Sequence, residues 1–208
     1  MAAKKKIQVH STSKTLTYTY CWVAASRALK IAQGVNGTIY ERMMAGVFAA
    51  FTVEAYLNHL GQSRIPNWSM LEKKLGPDDK LVVIQDWLHF RVDISRRPFQ
   101  TLAQMMQLRN LLAHGKTEDT KSDRIVDDQQ DESARYPQPK WKNLCSLQSV
   151  DRMVKDAEQM IRQLSASSGS KDGYDPLAVA QTGMYSAVEI ETDPNYTAAP
   201  HAARKSKS

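Results

Sequence analysis

The sequence predicts an all-α protein, a bundle of four to five helices between a disordered N-terminal arm and a mostly disordered C-terminal tail. Three observations lead there. Apolar residues recur at three- and four-residue spacing in one run after another between residues 17 and 166. Turn-forming and helix-starting residues, Gly34, Gly37, Pro77, Pro98 and Gly115, punctuate those runs. No stretch alternates clearly between apolar and polar residues, and the best strand candidate, KLVVIQ, lies inside a helical window.

A first helix is expected over Tyr18–Gln33, YTYCWVAASRALKIAQ, which holds neither proline nor glycine. GVNG stops it, with Gly34 and Gly37 as C-cap and turn residues. Thr38 then caps a long second helix, TIYERMMAGVFAAFTVEAYLNHLG, ended by Gly61. A short helix follows over Ser69–Leu75, and Pro77 opens another that runs through DDKLVVIQDWLHFRV. The chain restarts at Pro98 into FQTLAQMMQLRNLLAHG. In the last helix, SLQSVDRMVKDAEQMIRQLS, a stripe of Leu147, Val150, Val154, Ala157, Ile161 and Leu164 faces inward, with charges opposite.

The expected layout is therefore a basic arm over 1–16, a helical domain over 17–166 and a mostly disordered tail over 167–208 that lacks amphipathic period, with a little local structure expected only in DPLAVAQTGMYSAVEIE. A long polar loop interrupts the domain at 116–142. Its stretch TEDTKSDRIVDDQQDE holds seven acidic and two basic residues.

Composition sets broad limits. A chain of 208 residues, 42% hydrophobic and 24% charged, fits one globular domain with tails. Cys21 and Cys145 stand alone, so they read as small buried hydrophobes in a reducing compartment. No run nears the roughly 20 apolar residues that span a bilayer, and the start, MAAKKKIQVHSTSK, has no apolar segment behind its lysines. A cytoplasmic location without a membrane partner is expected. The net charge of +6 and pI of about 9.3 suit a polyanionic partner such as nucleic acid. The five histidines are dispersed, and no zinc spacing, phosphate-binding loop or nucleophile elbow occurs, so no metal and no cofactor is expected.

Two charges fall on the wrong side of their helices. With Ile39 at zero and about 100° per residue, Glu54 lies near ~60°, within the apolar sector, and Asn58 near ~100° beside it. With Leu102 at zero, Arg109 lies near about −20°, again within the apolar sector. A charge on a core-facing stripe is costly unless it is paired. Two opposite charges therefore imply that Glu54 and Arg109 meet, within one chain or across a subunit interface. Arginine suits the position because its planar fork binds carboxylate or phosphate through two parallel hydrogen bonds. His114 ends the same helix, about 140° from Arg109 on an ideal wheel, so the two share a face only if the last turn unwinds or a second subunit intervenes.

The string RNLLAH, Arg109 to His114, resembles the R-x4–6-H signature of the HEPN superfamily of small helical proteins. Asn110 fills the polar position after the arginine, and FTVEAYLNHL resembles the acidic helix that the family sets opposite its motif. The resemblance runs over residues 18–164 as a helix order with two short motifs. It implies a HEPN-like bundle working as a homodimer and acting on RNA as a metal-independent endoribonuclease. Arg109 would bind the scissile phosphate and His114 would serve as general base or acid. Asn110 would orient the histidine or hydrogen-bond the phosphate, and Glu54 would hold Arg109 or join the acid/base set. Asn58 and Lys116 are the expected substrate contacts. A toxin or anti-phage role would add an antitoxin or regulatory protein as partner. The tyrosine that one branch carries two residues after the histidine is here Lys116.

Two other classes of function compete. A catalytically silent helical dimer would use the acidic loop or the tail as an interaction module. A nucleic-acid-binding regulator would use the basic arm and Ser95, Arg96 and Arg97.

Overall fold

The computed structural model describes residues 6–123, 125, 136–170 and 173–190. Their elements, in chain order, are β1 (Lys6–Thr15), α1 (Thr17–Ala32), α2 (Ile39–Arg64), α3 (Trp68–Leu71), α4 (Pro77–Leu88), α5 (Thr101–Ala113), α6 (Lys140–Leu144), α7 (Leu147–Ser167) and β2 (Gln181–Ile190). The chain divides into a helical unit over Leu16–Ala180 and a ribbon unit from the segments on either side. The protein is thus mostly helical, with one small two-stranded sheet among the described residues.

The helical unit is built around α2. Thr38 starts this helix with a capping box: its hydroxyl accepts from the Tyr40 N–H, and the Glu41 carboxylate accepts from the Thr38 N–H at 2.8 Å. The helix then packs against α1, α3, α4, α5 and α7. Its inner surface is made small for that purpose, since Ala45, Gly46, Ala49 and Ala50 are all buried. A Cβ on Gly46 would come within 2.5 Å of a Leu108 methyl and 3.4 Å of a Val150 methyl, so α5 and α7 both press against α2 at this point. The core is completed by Leu57, Ile84, Met105, Leu108, Met153, Met160 and Ile161, none more than marginally exposed.

Gly61 does not end α2. The helix continues to Arg64, because the glycine serves to admit the Trp68 indole, whose ring atoms an added Cβ would overlap. The α3 helix is correspondingly shorter than Ser69–Leu75, and α4 closes at Leu88, with His89 in the left-handed region at φ 56°.

α7 follows the expected stripe, except that Leu147 is 39% exposed and a carboxylate lies inside the core. Asp156 is fully buried and is gripped from outside by the Arg97 fork, with Nη2 at 2.7 Å and Nε at 2.9 Å, while the Thr101 hydroxyl donates at 2.5 Å. A buried carboxylate is tolerable only with such a full set of donors. Arg97 precedes Pro98 through a cis peptide bond.

The flanking segments hold more structure than the sequence predicts. Residues 173–180 fasten onto the helical unit: Leu177 is buried, Asp175 pairs with Arg162 at 2.8 Å, and the Leu16 N–H donates to the Ala180 carbonyl at 2.8 Å. β1 and β2 form an antiparallel ribbon in register from Lys6↔Ile190 to Thr15↔Gln181. Its large apolar residues, Ile7, Val9, Met184, Tyr185 and Val188, are all exposed. The strict all-α class is corrected here, as is the expected disorder at 6–15, while the little local structure expected within DPLAVAQTGMYSAVEIE is the strand over 181–190. The reason is that a ribbon with no buried face needs no clean apolar and polar alternation, so the signal used to recognise strands is weak. Residues 1–5, most of the acidic loop beyond Asp123, and 191–208 lie outside the described residues.

Two expectations test this packing. Gly61→Ala gains helix propensity but collides with a rigid ring, so it should destabilise the fold by about 1–3 kcal/mol in urea denaturation. A neutral or stabilising effect would contradict the Trp68 contact. Burial pushes the Cys145 thiol from its ordinary 9.0 up to about 11. The unfolded chain therefore loses this proton first, and the associated stability is intact below pH 9 and is lost as pH rises to about 11. Native protein at pH 8 should be alkylated at half-buried Cys21 before Cys145, as peptide mapping would show.

Candidate functional site

Glu54 and Arg109 meet. Glu54 lies near the middle of α2, two turns beyond Gly46, where the close approach of α5 brings Arg109 opposite it. The Arg109 Nη2 donates to Glu54 Oε2 at 2.6 Å, and the two side chains are 26% and 21% exposed. This is a partly buried, charge-assisted bond, stronger than an exposed pair. It joins the two helices on which the spacing of apolar residues turns a charge inward.

The arginine's other arm reaches along its own helix, with Nη1 donating to the Asn110 Oδ1 at 2.7 Å. Asn110 is exposed and lines a cleft of about 760 Å³ at the C-terminal end of α5, together with Gln107, Leu111, His114, Gly115, Lys116, Glu118, Asp119 and Thr120. His114 is the C-cap of α5, exposed, with its N–H on the Asn110 carbonyl at 3.0 Å. The helix end thus keeps its last turn wound. Arg109 and Glu54 do not line this cleft, so the described chain holds two adjacent polar centres that share Asn110.

Of the residues expected at the site, Glu54, Arg109 and Asn110 form one connected chain of hydrogen bonds. Asn110, His114 and Lys116 line one cleft. Asn58 stands apart from that cleft. It sits one turn after Glu54, and its buried Oδ1 has no hydrogen-bond partner among the described residues, so it faces the protein more than an incoming substrate. His59, its neighbour, packs against the rings of Tyr18 and Tyr56 at 5.1 and 6.0 Å.

Lys80 is a site residue that the sequence reading misses. Its side chain, near the start of α4, is only 4% exposed, and its Nζ lies 3.7 Å from Glu54 Oε1. Each carboxylate oxygen of Glu54 therefore faces its own cation. The available signal is a lysine directly before Leu81 and four residues before Ile84, both core residues of α4.

No group of three or more histidine, cysteine, aspartate or glutamate side chains suited to a metal ion occurs among the described residues, and no described helix is long and apolar enough to cross a membrane. A double-mutant cycle on Glu54→Gln and Arg109→Met should give a favourable coupling of about 1–2 kcal/mol in denaturant titrations. Additivity of the two single effects would show that the bond contributes nothing. Comparison with known proteins returned no matching family model, no matching curated protein and no matching solved structure.

Proposed function

We propose that this protein is a metal-independent endoribonuclease of the HEPN type, working as a homodimer. The observation that carries the reading is the hydrogen-bonded chain Glu54–Arg109–Asn110, which ends at the cleft holding His114. A phosphate-binding fork, a polar residue beside it and an imidazole are the parts that RNA cleavage needs.

In this reading the 2′-OH of the substrate gives its proton to a histidine and attacks the adjacent phosphorus. Arg109 stabilises the charge that builds on the phosphoryl oxygens, and Asn110 fixes the guanidinium. The 5′-oxygen leaves with a proton from a second acid, and the product ends in a 2′,3′-cyclic phosphate. Within one chain Arg109 does not line the His114 cleft. A two-fold partner supplies the missing half, with one copy of His114 as base and the other as acid. DNA is not a substrate because it has no 2′-OH. A toxin or anti-phage effector restrained by an antitoxin would use such a centre.

One observation favours the second reading, a catalytically silent interaction module. Glu118 and Asp119 line the same cleft as His114, and their charges oppose an RNA backbone. Incubating wild type with labelled RNA in EDTA separates the two. The nuclease reading expects cleavage to cyclic-phosphate ends, reduced at least about 100-fold in both Arg109→Ala and His114→Ala, with folding retained in circular dichroism. Absence of cleavage by wild type, or cleavage indifferent to His114→Ala, would overturn it.

A further inference from the structure

Lys80 occupies a position that folding alone does not explain. It is a 3% exposed lysine near the N-terminal end of α4, where the helix dipole disfavours a cation. Burying an ammonium is costly, and the return here is one ion pair at 3.7 Å, longer than a hydrogen bond. The carboxylate it faces, Glu54, is already bonded at 2.6 Å to Arg109 through its other oxygen. Two cationic side chains thus share one acidic one, which leaves positive charge in excess.

That excess acts on any phosphate that approaches Arg109. A guanidinium paired one-to-one with a carboxylate presents a dipole, and a phosphate meets attraction and repulsion together. With Lys80 on Oε1, the charge of Glu54 is balanced from behind, and the field of Arg109 stays available to the incoming anion. Lys80 is too enclosed to touch a polymer itself. Asn58, one turn after Glu54, carries a buried Oδ1 with no partner among the described residues, so its amide oxygen takes no donor away from the acid.

We infer that Lys80 is a positioning residue, the counter-ion of Glu54 that leaves the positive charge of Arg109 uncancelled for the phosphate of an RNA strand. The inference rests on the nuclease reading above and assigns its phosphate affinity to a residue outside the motif. It expects loss of Lys80 to weaken phosphate binding, and neutralisation of Glu54 to reverse that loss, because an uncharged amide in place of the carboxylate needs no second cation.

The test uses full-length His114→Ala protein, which blocks turnover, and a fluorescein-labelled single-stranded RNA read by anisotropy. Lys80→Met should weaken binding about tenfold, Lys80→Arg should stay close to the parent, and Lys80→Met with Glu54→Gln should recover the parent affinity. A purely structural lysine would not show recovery through Glu54. Thermal melts check folding, and Lys80→Gln serves in the same design if the methionine variant does not fold. Unchanged affinity in the Lys80→Met variant, or a loss that Glu54→Gln fails to reverse, overturns this inference and leaves the nuclease reading standing if wild type still cleaves. No RNA binding by the parent together with no cleavage by wild type overturns both.

Discussion

The close approach of α5 to α2 is the constraint on which the rest of the helical unit depends. Ala45, Gly46, Ala49 and Ala50 leave α2 without bulk along its inner side, and Leu108 and Val150 come down onto Gly46. Two helices at that distance can bridge with short, direct contacts further along. Two turns after Gly46, Glu54 reaches the Arg109 guanidinium at 2.6 Å with no intervening group. A bulkier inner face would hold α5 further out and cost Arg109 its carboxylate, leaving a half-buried guanidinium with only the Asn110 amide oxygen, a state more costly than full exposure. Packing and electrostatics are therefore one design here: the small residues close the gap, and the ion pair makes the closed gap tolerable for charge.

The parts of this arrangement that are legible in the sequence are those that leave a periodic trace. The helix order, the Thr38 cap and the meeting of Glu54 with Arg109 all follow from spacing, since a charge inside an apolar stripe is an exception that names its own partner. Gly61 misleads because a glycine that ends a helix and one that admits a ring look alike in one dimension. Asp156 gives no warning because its partner, Arg97, comes from an irregular segment with no wheel to place it. Lys80 escapes for a related reason. A lysine at the edge of an apolar face ordinarily bends its head to water, and only the third dimension shows this one directed at Glu54.

The two polar centres differ in character. The Glu54 cluster is part-buried and carries more positive than negative charge, whereas the cleft beyond it mixes His114 and Lys116 with Glu118 and Asp119 and lies open. Asn110 is the hinge between them, giving its side-chain oxygen to Arg109 and its backbone carbonyl to the His114 N–H. The residue directly after an arginine in this position thus matters through both its side chain and its main chain, which spacing alone does not reveal.

The ribbon bears on how the protein is made. β1 precedes every described helix and β2 follows every one, yet the two pair residue for residue. During synthesis β1 leaves the ribosome with its edge unmatched and stays so until α7 is complete and Gln181–Ile190 has emerged. The helices can settle first, through contacts nearer in sequence, and the ribbon then closes as a clasp whose formation reports that translation has passed the last described helix.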